Sequence, residues 1–157
     1  MEPLQNVCKC ESMITHFAAA FRMRRKMSRR EIREHIFKLL FLVEFHEQEE
    51  LEAQVRLYLT QHEEIKEEDL RYMKDKYEKI LEKLPQIDET INQVSKGWKT
   101  ERMGKTDLTV LRLAYYEMKY DEDIPTGVAI NEGVELAKMF GGEESPAFVN
   151  GILAKLV

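Results

Sequence analysis

From Ser28 to Leu156, apolar residues return every three or four positions, and almost nothing interrupts them. That period is helical. The breakers that a many-turned sandwich or barrel needs are scarce: seven glycines and four prolines in 157 residues. This is about 7% against roughly 12% in an average protein. Hydrophobic residues make up 43% of the chain and charged residues 34%. Such a chain can close one globular core. No apolar run approaches the length of a membrane span.

The spacing predicts seven helices and no strand. Ser28 and Glu31 are placed as a capping box, followed by Ile32, Ile36, Leu39, Leu40 and Val43. Phe37, Phe41 and Phe45 form a second stripe on that helix, read as core. A second helix is expected over about 49–62. A third runs from Glu67 to Pro85, where a missing N–H should break or kink it. A fourth uses Ile87, Ile91, Val94 and Trp98 as its inward face. Lys105-Thr106-Asp107 is expected to cap the fifth. Pro125 suits the first turn of the sixth, which carries Val128, Ile130, Val134, Ala137 and Phe140. Gly141-Gly142 should end it through a left-handed residue. Ser145-Pro146 reads as the cap and first turn of the seventh, which runs to Leu156.

The opening 26 residues differ from the rest. They hold both cysteines, Cys8 and Cys10, and an apolar stretch followed by basic residues, the reverse of a signal peptide. Residues 1–26 are therefore expected to be a leader, disordered or a start-site miscall with Met27 as the native start. Residues 27–157 are then one helical domain. Two cysteines in one C-x-C cannot build a disulfide framework or a zinc site, which fits a reducing, cytoplasmic location. No phosphate loop, nucleophile elbow, dinucleotide fingerprint or paired Glu-x-x-His turn is present. The surplus carboxylates have no base, metal or cofactor motif around them. The expectation is a non-enzyme without metal or cofactor.

Charge then points to a polyanion. The chain carries 24 basic and 29 acidic residues, a net −5. Arg22, Arg24, Arg25, Lys26, Arg29, Arg30 and Arg33 oppose only Glu31. That segment is +6, so the remainder is −11. Arginines at a helix start oppose the helix dipole at about 0.3–1 kcal/mol each. Beside free N–H groups, Arg29, Arg30 and Arg33 would make an anion-binding corner. The competing reading is a basic end whose side chains pair with the surplus acids. No base-reading motif is evident, so unpaired RNA, with Phe41 or Phe148 as stacking aromatics, is the nucleic acid the residues fit. On pattern alone both aromatics read more readily as core.

The segment from Val128 to Leu153, VAINEGVELAKMFGGEESPAFVNGIL, resembles the signature of the NusB family of bacterial transcription antitermination factors. Leu111 to Glu117 and the opening Arg29-Arg30-Glu31-Ile32-Arg33-Glu34 resemble it too, and the likeness covers roughly 28–156. Glu31 stands where the family often has an arginine. The resemblance implies a compact all-α bundle of two packed helical subdomains. It implies binding to the single-stranded boxA element of nascent ribosomal RNA. It also implies a heterodimer with NusE, a small-subunit ribosomal protein, within an RNA-polymerase antitermination complex. Carried over residue by residue, RNA contacts fall on Arg29, Arg30, Arg33, Phe41, Glu144, Ser145 and Phe148. The NusE-facing surface falls on Asp107, with Glu101 and Arg102 beside it. The alternatives are a purely protein-binding helical adaptor and a homodimer that hides the RNA surface.

Overall fold

The computed structural model describes residues 24–157. The expectations for Cys8, Cys10, Arg22 and the rest of 1–23 lie outside the described residues. Among the described residues there are six α-helices and one short 3-10 turn. They are α1 (Arg29–Leu42), α2 (Gln48–Thr60), α3 (Glu67–Val94), the turn Thr100–Arg102, α4 (Lys105–Tyr120), α5 (Thr126–Phe140) and α6 (Ser145–Leu153).

The first helix starts as its sequence dictates. The Glu31 N–H donates to Ser28 Oγ at 3.2 Å, and the Ser28 N–H donates to Glu31 Oε2 at 2.8 Å. α1 then buries Ile36, Phe37, Leu39 and Leu40. It packs on α2, α3 and α4, whereas α4, α5 and α6 pack on one another. Two helical groups thus share one core, joined where α1 and α3 meet α4. Ahead of α1, Met27 is buried and its N–H donates to Asp69 Oδ2 at 3.0 Å. The Arg25 N–H donates to the Glu64 carbonyl at 2.9 Å, so Arg25, two residues before Met27, is already tied to the domain.

Several expectations need correction. The third and fourth helices are one, because α3 runs through Pro85. A proline inside a helix costs about 3 kcal/mol. Continuing the helix buries Ile87 and Ile91 completely, worth about 1.5–3 kcal/mol each. Pro85 is also exposed, where a freed carbonyl can bond water. Trp98 is not on that helix. α3 ends at Ser95, whose hydroxyl donates to the Ile91 carbonyl at 2.8 Å. Gly97 then turns the chain with φ +87°, a conformation side chains disfavour, and Trp98 emerges 58% exposed.

Two expected caps are also displaced. Gly104, not Asp107, precedes α4, and Asp107 is its third residue. Glu144, not Ser145, caps α6. The Ser145 hydroxyl instead accepts from the Gly142 N–H at 3.0 Å, tightening the turn. Gly141 is extended, not left-handed; a Cβ there would lie 2.5 Å from Ser145 Oγ, so the need is for space. On α5 the buried face is Ala129, Gly133, Leu136 and Ala137, not Val128. The two alanines and the glycine let α5 approach α4 closely, with a Cβ at Gly133 only 2.9 Å from Ala114 Cβ.

Candidate nucleic-acid interface

At the start of α1 the three arginines go three ways. Arg29 is exposed and has no ion pair among the described residues. Arg30 grips Glu132 of α5 with two hydrogen bonds, Nε at 3.1 Å and Nη2 at 2.9 Å. That pair holds the Glu132 carboxyl below its ordinary range, with Arg33 adding to the effect. Arg33 turns into the protein. Its Nε donates to both oxygens of Glu117 at 2.9 and 3.1 Å, and its Nη1 lies 3.5 Å from Glu132. Its side chain is only 8% exposed. The expected corner of three free arginines is therefore not formed: Arg29 is unpaired among the described residues, Arg30 is paired at the surface and Arg33 is buried.

The burial of Arg33 has a cause that reaches three helices. Glu117 on α4 is 1% exposed and also accepts from Lys76 Nζ of α3 at 2.8 Å. Lys76 donates to Asp121 as well, at 2.9 Å. Burial pulls the Lys76 ammonium down, but Glu117 and Asp121 outweigh it and leave it raised. Two cations and two carboxylates thus neutralise one another at the seam of the helical groups. A buried charge is tolerable only when paired and hydrogen-bonded in this way. The reading in which basic residues pair with surplus acids holds for Arg30 and Arg33, and for Arg25, which pairs with Glu31 at 2.6 Å.

Farther along α1, Phe41 is half-buried within a run of rings. It stacks on Phe37 at 5.9 Å and meets Phe45 edge-on at 5.0 Å. Phe37 in turn stacks on Phe140 of α5 at 4.6 Å. Phe45, placed with the core by its spacing, is 56% exposed. The α1 helix ends before it, so it no longer lies on the buried stripe.

The other expected residues gather around an open cleft of about 650 Å³ between the start of α4 and the start of α6. Asp107, Glu144, Ser145 and Phe148 all line it, with Trp98 and Met103. The residues carried over for RNA and for NusE therefore adjoin one another. Glu144 is exposed, Phe148 is half-buried and Ser145 is buried with its oxygen engaged by Gly142. Asp107 Oδ1 is shielded from solvent and has no hydrogen-bond partner. Glu101 and Arg102 are exposed on the adjacent 3-10 turn. Glu117, Lys76, Glu132 and Trp98 carry no local motif that marks them as site residues.

Among the described residues, no group of three or more His, Cys, Asp or Glu side chains is placed to hold a metal ion. No helix among them is long and apolar enough to cross a membrane. Fold and surface together describe an all-α interaction domain with a basic helix start and an open aromatic cleft. The chain belongs to the NusB family, whose model matches residues 30–157. A Lachnoclostridium phytofermentans relative, described as a transcription antitermination protein NusB, is 52% identical over 131 residues. That match covers 83% of this chain and 99% of the relative. The solved T. maritima NusB is 36% identical with a TM-score of 0.76, covering 84% of this chain and 92% of that one. A solved complex of the antitermination factors NusB and NusE with dsRNA shares the fold. Its similarity is a TM-score of 0.69 at 21% identity, covering 82% of this chain and 94% of that one.

Proposed function

We propose that this chain is an RNA-binding transcription antitermination factor. It binds the single-stranded boxA element of nascent ribosomal RNA together with NusE and joins RNA polymerase in the cytoplasm. It works by contact and not by catalysis. The observation that carries this reading is the cleft at the start of α6, in which Phe148 and Glu144 lie beside Asp107 of α4. RNA-facing and NusE-facing residues side by side allow one RNA to be held by two proteins. Arg29 and Arg30 supply attraction that is independent of sequence; stacking and contacts to base edges supply the selectivity.

Phe148→Ala tests it, in the full chain with NusE. A stacking Phe148 loses about 1–3 kcal/mol of RNA affinity on truncation. Folding stability should fall less than the roughly 3–5 kcal/mol of a core phenylalanine, because the ring is only half-buried. Unchanged RNA affinity would favour the second reading, a protein-binding helical adaptor. That reading draws support from Arg30 and Arg33, whose charges are already met by carboxylates.

A further inference from the structure

A second cleft, of about 230 Å³, adjoins the first and shares two of its aromatic residues. Trp98 and Phe148 line both clefts. The chemistry of the two sides differs. Asp107, Glu143 and Glu144 border the larger one. Lys96 and Lys155 border the smaller, and no carboxylate does. Both lysines are exposed, and neither has an ion pair among the described residues. In a chain of net charge −5, a concave surface lined by two unpaired cations and two aromatics is a local exception.

We infer that Trp98, Lys96 and Lys155 form, with Phe148, a binding site for one unpaired nucleotide of RNA. This rests on the RNA-binding reading above. The base would stack on the Trp98 indole, and its phosphate would lie against the two lysines. The backbone is arranged to present that indole. The positive φ of Gly97 turns the chain out of α3, and the Trp98 N–H donates to the Ser95 carbonyl at 3.4 Å to close the turn. The ring is left 58% exposed. At Gly151 a Cβ would meet nothing within 4 Å, so the α6 side of the cleft is open. Room for several waters of about 30 Å³ each is room for a planar base. Every base has a π-face, so stacking tolerates any sequence, and lysines follow the backbone. Carboxylates on the neighbouring side can accept from exocyclic amines at a base edge. Trp98 thus extends the RNA surface beyond Phe148 toward the end of α3.

Trp98 is the sole tryptophan, so the chain's tryptophan fluorescence reports the wall between the two clefts. The full chain is titrated with unlabelled boxA-type single-stranded RNA, and separately with NusE. In parallel, anisotropy of labelled RNA follows binding of the wild type, Trp98→Ala, Trp98→Phe, Lys96→Ala and Lys155→Ala. The expected result is quenching by RNA and a roughly 5- to 100-fold weaker complex for Trp98→Ala, with most affinity kept by Trp98→Phe. Each lysine variant should flatten the log–log salt dependence by about 0.7. Helical content of Trp98→Ala should match the wild type. RNA binding that leaves Trp98 fluorescence and Trp98→Ala affinity unchanged overturns this site while the RNA-binding reading stands. A fluorescence change with NusE alone, and loss of NusE binding only, overturns it in favour of a protein contact. No RNA binding by the wild type overturns both.

Discussion

Arg33, Glu117 and Lys76 sit at positions where the helical period asks for apolar side chains. Arg33 lies three, four and seven residues before Ile36, Phe37 and Leu40 on the buried face of α1. Glu117 follows Val110, Leu113 and Ala114, and Lys76 falls between Met73 and Tyr77. This coincidence was legible in the chain, but Arg29 stands at the same spacing from Ile32 and Ile36, so the period alone does not tell the buried Arg33 from the exposed Arg29. Which acid meets which base was not, because that depends on how α1, α3 and α4 cross. Glu117→Ala would leave two buried cations short of a partner, and about 3–5 kcal/mol of stability should be lost in urea unfolding. Arg29→Ala should change stability by less than about 0.5 kcal/mol. A near-neutral Glu117→Ala would contradict the account of the seam. His35 supplies a pH dependence. Burial, with the nearby His62 and Lys38 charges, lowers it to about 4, and its Nδ1 lies 2.5 Å from the Tyr58 hydroxyl. The unfolded chain therefore binds a proton near pH 6.5 that the folded chain refuses until about pH 4. Stability from this site is complete above about 6.5 and declines as pH falls toward 4. A His35→Gln variant should show a shallower decline across that window in thermal melts.

At the scale of elements, most helices follow from period and caps, and the departures have local causes. The Ser28/Glu31 cap was readable because the whole motif lies within four residues. The continuity of α3 was not, because a rule for one residue, proline, competes with a stripe running from Met73 to Ile91. Burial across the whole stripe wins. Pro85→Ala should then restore a ladder hydrogen bond without disturbing the core and stabilise the chain by about 1–3 kcal/mol. An unchanged or lowered melting temperature would mean that the proline serves the packing of α3. Trp98 shows the complementary error. Its spacing continued the stripe, but Ser95 and Gly97 had already ended the helix. A glycine one residue before a supposed core tryptophan was the available warning.

For the whole molecule, net charge indicated a directional field, but the folded chain spends much of it internally. With Arg33 in the seam, the proposed function leaves Arg29 and Arg30 as its phosphate contacts in α1, and Arg30 would have to exchange Glu132 for phosphate. Two such contacts contribute about −1.4 to the single-strand salt slope, not the −2 of three, and Lys96 and Lys155 would add about −1.4 more. Under the proposed function, selectivity would then come from the aromatic cleft and from NusE. The juxtaposition of Asp107 with Glu144 and Phe148 was outside the reach of local pattern, since some forty residues separate them. The family signature supplied those positions, and the packing of α4 and α6 brings them together. The most direct measurement is equilibrium binding of the full chain to a boxA-type RNA and to a scrambled RNA of equal length, each with and without NusE. The account predicts preference for boxA that NusE strengthens. Equal affinity for both RNAs, with NusE bound, would contradict it and leave a protein-binding module.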